Sequence, residues 1–111
     1  MIVRRFLAAE TAVFVTAALI HAGVIFPGYE HARARNAEMV IALVLLAGLS
    51  WSAITPTRVR AAGLAAQGFA LLGTIVGLFT IAIGVGPRSV LDLTMHAAMA
   101  TLLVGGLMIA R

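Results

Sequence analysis

Four apolar runs dominate the chain, at about residues 6–26, 37–54, 61–84 and 89–110. A bilayer core of about 30 Å needs about 20 mostly apolar residues per helix, and the second run is near the short limit. The breaks between the runs have definite chemistry. Pro27-Gly28 ends the first. Thr55-Pro56-Thr57-Arg58 ends the second, because proline disfavours a helical residue before it. Gly84-Val85-Gly86-Pro87-Arg88-Ser89 separates the third from the fourth, with Ser89 placed to cap the last helix and Asp92 in its first turn. The connections are too short to cross a membrane, so neighbouring helices are expected as antiparallel hairpins. The expected fold is all-α: one integral membrane domain over residues 1–111, a four-helix transmembrane bundle running up-down-up-down.

Composition agrees with that expectation. The chain is 62% hydrophobic and 11% charged, whereas a soluble domain would be roughly a quarter charged. It has no cysteine, which excludes disulfides, thiol catalysis, thiolate zinc sites and iron–sulfur clusters. All eight basic residues are arginines, scattered at the ends of the apolar runs. That pattern reads as topology and headgroup contact; no nucleic-acid partner is expected. Arg4, Arg5, Arg58, Arg60 and Arg111 fall on one side of the expected bundle, and Arg33, Arg35 and Arg88 on the other. The excess favours both termini in the cytoplasm, with dual topology left open. Trp51 and Tyr29 are candidate interfacial anchors. Arg4-Arg5 followed by an apolar run resembles a signal peptide. The run is longer than the usual apolar region of about 7–15 residues. It also contains Glu10, and Ala22-Gly23 precedes a poor cleavage context, so a retained first helix is expected.

The few polar groups within the runs carry the functional expectation, because ionisable side chains in a bilayer are costly. At a helical rise of about 1.5 Å per residue, His21 falls roughly 8 Å inside the end of helix 1, and Asp92 and His96 roughly 5 and 10 Å into helix 4. Glu38 falls at the start of helix 2, near the surface and peripheral to the group. Asp92 and His96 are four residues apart and share a face, so a direct pair is expected. His21 and His96 are expected to face each other, with Glu30 and His31 as an entrance. A ligand, metal or proton site of His21, Asp92, His96 and Glu38 suits three chemistries. Two imidazoles and carboxylates suit a divalent metal such as zinc, iron or manganese. Two facing histidines suit haem b. A coupled aspartate and histidine suits proton handling. Met95 and Met99 flank His96, and thioether with imidazole also suits Cu(I). The same groups can equally satisfy one another with no ligand at all. No HExxH, ExxH pair or CxxCH is present. With no nucleophile–base pair and no sizeable extramembrane segment, an enzyme is not expected.

A second polar layer lies towards the other side. Glu10 is about one turn inside helix 1, and Gln67 reaches comparable depth in helix 3. A Glu10–Gln67 hydrogen bond or a Glu10–Arg60 pair accounts for the carboxylate; both Glu10 and Gln67 are also candidates for ion coupling. Thr74 and Thr101 lie between the two layers. Gly73-Thr74-Ile75-Val76-Gly77 is a GxxxG motif, with Gly68, Gly105 and Gly106 nearby. Such residues let backbones approach, either within the chain or across a homo-oligomer seam.

Leu7-Ala8-Ala9-Glu10 in a four-helix chain of this length resembles the small multidrug resistance exporters. The likeness implies a proton-coupled small-cation exporter in which the Glu10 carboxylate alternately holds protons and cationic drugs within an antiparallel dimer. Helix 3 departs from that family's aromatic-rich Trp-Ser-Gly-x-Gly segment. The stretches 21–38 and 66–93 resemble small four-helix bacterial membrane proteins that have no assigned activity. That likeness implies a multi-pass protein of the bacterial inner (plasma) membrane. Two functions are therefore expected beside the exporter: a non-enzymatic membrane protein with a site in the outer leaflet, and a structural subunit or assembly factor of a larger membrane complex or homo-oligomer.

Overall fold

The computed structural model describes residues 1–111 and contains four helices and no strand: α1 (Ile2–His21), α2 (Ala32–Ile54), α3 (Val59–Ala82) and α4 (Val90–Ala110). A short 3-10 turn, Pro56–Arg58, leads into α3. Three of the helices, α2, α3 with its leading turn, and α4, are long and apolar enough to cross a membrane. α1 is set apart by its charge, with Arg4, Arg5 and Glu10 inside its twenty residues.

Each helix packs on the next, and α4 returns to pack on α1. α1 also touches α3 across the diagonal, whereas α2 and α4 do not meet. The cross-section is therefore a flattened rhombus, and the gap between α2 and α4 lies over α3. The core is a column of Leu7, Phe14, Leu45, Ala66, Ala70, Met99 and Leu103, all buried. The outside is apolar as well: Leu43, Ile54, Leu72, Phe79 and Met108 are exposed. With apolar surface on both sides, water contributes little to holding such helices together in lipid, and close packing of small residues takes over. Gly48 of α2 shows how close: a Cβ there would lie 2.5 Å from Cβ of Ala66 on α3.

The GxxxG pair is used within the chain. A Cβ on Gly73 would sit 2.7 Å from Cδ1 of Ile41 on α2, and one on Gly77 would sit 2.9 Å from Nε2 of His96 on α4. The two glycines admit different neighbours on different helices, and both neighbours belong to this chain.

The helix ends differ from the sequence expectation where the site is built. α1 stops at His21, five residues before the expected end at 26, because Gly23 turns the chain through the left-handed region at φ +76°. A Cβ at Gly23 would also meet the Glu30 side chain at 2.8 Å. α2 begins at Ala32, five residues before the expected start at 37. The charged segment Arg33–Asn36 belongs to its first turns, capped by His31, whose Nδ1 accepts the Ala34 N–H at 3.2 Å. The His31 N–H donates to the His21 carbonyl at 2.9 Å, which closes the loop and ties the end of α1 to the start of α2.

Candidate functional site

His21, Glu38 and Asp92 come from three helices and meet at one end of the bundle. The His21 ring bridges the two carboxylates: Nδ1 lies 2.7 Å from Glu38 Oε2 and Nε2 lies 2.8 Å from Asp92 Oδ1. All three residues are buried, at 1%, 5% and 3% exposure, so the bridge is withdrawn from the outer surface of the bundle. Each is placed by local sequence. His21 is the last residue of α1. Glu38 is nearly two turns into α2, because that helix starts early; it is central to the group, and the expectation of a peripheral surface residue is corrected. Asp92 is the third residue of α4, where it completes a capping box. The Ser89 N–H and hydroxyl both donate to Asp92 Oδ2, and Ser89 Oγ accepts the Asp92 N–H. Reciprocal bonding of this kind satisfies two free donors of a helix start and fixes the side chain.

The expected side-chain pair of Asp92 and His96 does not form. His96 Nδ1 bonds the Asp92 backbone carbonyl at 2.8 Å, while the Asp92 carboxylate is taken by Ser89 and His21. A carbonyl only accepts, so Nδ1 of His96 carries a proton, and whenever the ring is neutral its Nε2 is a bare lone pair. That nitrogen faces Gly77, whose missing side chain leaves room for the ring.

The geometry does not suit a metal or haem. Both ring nitrogens of His21 are engaged by carboxylates, so in this geometry His21 presents no free lone pair and does not pair with His96. No group of three or more His, Asp or Glu side chains is arranged to hold a metal ion.

Proton counting defines what the bridge can do. An imidazolium between two carboxylates carries two ring protons and leaves the trio at net −1. A neutral ring with one protonated carboxyl carries the same two protons and the same charge. Asp92 accepts three donors and is held as the acceptor end. Glu38 accepts only one, from His21. Of the two carboxylates, Glu38 therefore keeps the greater unused acceptor capacity.

A cavity of about 250 Å³ opens beside Glu38. It occupies the gap between α2 and α4, floored by α3 and by Phe14 of α1. Glu38, His96, Thr74, Gly77 and Met99 line its deeper part, and His31, Arg33 and Pro87 its mouth. His31 is half-buried and Arg33 exposed, and both line the cavity. Glu30 is engaged elsewhere, accepting the Gly28 N–H at 2.8 Å within the loop. The cavity had no signature in the sequence; the nearest signal was the glycine pair, whose role in clearing one wall depends on packing. Arg88 closes the adjoining turn by donating to the Ile81 and Ala82 carbonyls at 2.9 and 3.3 Å.

Glu10 and Gln67 pair as expected and lie apart from the cavity. Gln67 Nε2 donates to both Glu10 oxygens at 3.0 and 3.1 Å, and both residues are fully buried. Gln67 Oε1 has no donor. Gly106 of α4 packs directly over the pair. Arg60 is exposed and forms no ion pair with Glu10. No protein-family profile, curated protein or solved structure matches this chain.

Proposed function

We propose that this chain is a small, non-enzymatic membrane protein that takes up and releases a proton at a buried Glu38–His21–Asp92 bridge near one membrane face. In this reading the four helices run up-down-up-down in a bacterial inner membrane. The termini are cytoplasmic and the bridge lies in the outer leaflet. The observation that carries the reading is His21 held by carboxylates from two other helices, with only the Glu38 side open to a cavity. Ionisable groups buried in an apolar bundle are costly unless paired, and a paired set with one exchangeable position is the usual device of proton relays. Glu38 supplies that position: its second oxygen has no protein donor, and the residue lines the cavity through which water or a ligand reaches it.

The competing reading makes the bridge a tether alone, in a structural subunit. Infrared difference spectra of the protein in lipid, recorded between acid and neutral pH, separate the two. The proton-binding reading expects a titrating carboxyl C=O band that Glu38→Gln removes, Glu10→Gln leaves, and His21→Gln shifts. A protein with no band sensitive to Glu38→Gln has only a tether. The exporter reading rests on Glu10, which is sealed beneath Gly106 and does not line the cavity beside Glu38, so the geometry favours Glu38 over it.

A further inference from the structure

The cavity beside the bridge has a polarity of its own. Counted from the start of each helix at about 1.5 Å per residue, Glu38 and His96 both lie roughly 9 Å in, so they face the same deep end. What they present there is of one kind. In the neutral ring His96 Nε2 is an acceptor, because the Nδ1 bond to the Asp92 carbonyl fixes the proton on the other nitrogen. The second oxygen of Glu38 is an acceptor with no protein donor, on a trio whose net charge is −1. The nearby hydroxyls add no donor: Thr74 gives its proton to the Ala70 carbonyl at 2.8 Å and Thr80 gives its proton to the Gly77 carbonyl at 2.7 Å. The remaining deep wall is apolar, with Phe14, Ile41 and Met99. The cationic side chain, Arg33, stays at the exposed rim, and His31 beside it is turned to capping α2.

A closed end with two unpartnered acceptors, negative charge and apolar walls calls for a ligand that brings donors and a positive charge on a small apolar body. We propose that this cavity binds a small organic ammonium ion, its N–H groups donated to Glu38 and to His96 Nε2 and its hydrocarbon lying against Phe14 and Met99. At about 250 Å³ the space is just below the range of about 300–1,000 Å³ typical of drug-sized pockets, which sets the ligand at a few carbons. The inference rests on the proton-binding reading, since Glu38 must be free to ionise: the ammonium and the shared proton compete for the same carboxylate.

The test uses the full chain in lipid nanodiscs with butylammonium as the probe and n-butanol as its uncharged counterpart. Saturable binding of butylammonium is expected, with n-butanol showing only partition into lipid. Glu38→Gln and His96→Phe are each expected to weaken binding about tenfold or more, the scale of losing a hydrogen bond to a charged group. In the unaltered protein, nitrogen NMR is expected to show the His96 Nε2 lone-pair resonance shifting with butylammonium while His31 stays in place, a readout that needs no variant. Absence of saturation, equal binding of n-butanol, or an unmoved His96 resonance overturns the proposal. A Glu38 band that titrates in the infrared without any amine, in a protein that does not bind butylammonium, removes the ligand and keeps the proton site. Loss of that band removes the ground for both.

Discussion

At the residue scale, Asp92 shows how one side chain does two jobs. Its Oδ2 closes the cap with Ser89, and its Oδ1 holds His21, so the start of α4 and the end of α1 share one carboxylate. The two interactions differ in worth. Ser89→Ala removes a cap and is expected to cost about 1 kcal/mol. His21→Ala leaves two buried carboxylates with no cation between them, and removing one partner of a buried ionic set costs about 3–5 kcal/mol. Reversible unfolding in mixed micelles should therefore rank His21→Ala well below Ser89→Ala; equal losses would mean that the bridge is not formed in lipid. The sequence picks out all four polar residues of this end, since buried charge in an apolar run stands out by itself. It does not show their pairing. Four-residue spacing brings Asp92 and His96 together equally well through a carboxylate or through the backbone carbonyl, and a competing donor from α1, the His21 ring, decides between them.

At the scale of the helices, the early end of α1 and the early start of α2 move His21 outward and Glu38 inward until they meet. A hydropathy boundary misplaces both ends by five residues, because apolar Val24-Ile25-Phe26 looks helical and charged Arg33–Asn36 looks like loop. The deciding groups are Gly23, at a positive φ, and the capping ring of His31. Small residues were legible as packing devices, but not which helix each one faces. Gly106 and Gly68 make the contrast testable. A Cβ on Gly106 would strike Gln67 and Glu10, whereas one on Gly68 meets nothing within 4 Å. Gly106→Ala is expected to lose about 1–3 kcal/mol through overpacking. Gly68→Ala, in the interior of α3, is expected to gain about 0.5–1 kcal/mol from helix propensity. Thermal unfolding of the two variants side by side decides whether the Glu10–Gln67 pair is as tightly sealed as its geometry indicates; a tolerated Gly106→Ala would mean that α4 stands further off.

At the scale of the whole molecule, the proposed proton site has a direction only if the bundle has one. Val3, Gly63 and Ala110 pack together at one end, where Arg4 also donates to the Ser52 carbonyl; His21, Glu38 and Asp92 meet at the other. Arg4 is tied to Ser52, and Arg88 to the end of α3. A guanidinium bonded to a carbonyl keeps its charge, so all eight arginines count, and the proposed cytoplasmic termini rest on the excess of five to three. Because the chain has no cysteine, single substitutions report sidedness without background. Tyr29→Cys, in the loop before α2, is expected to react with a membrane-impermeant maleimide on intact cells. Thr57→Cys, in the turn before α3, is expected to react only after permeabilisation. The reverse pattern would put the bridge on the cytoplasmic side. Partial labelling of both would mean two orientations in one membrane, which deprives the Glu38 site of any single face from which to draw its proton.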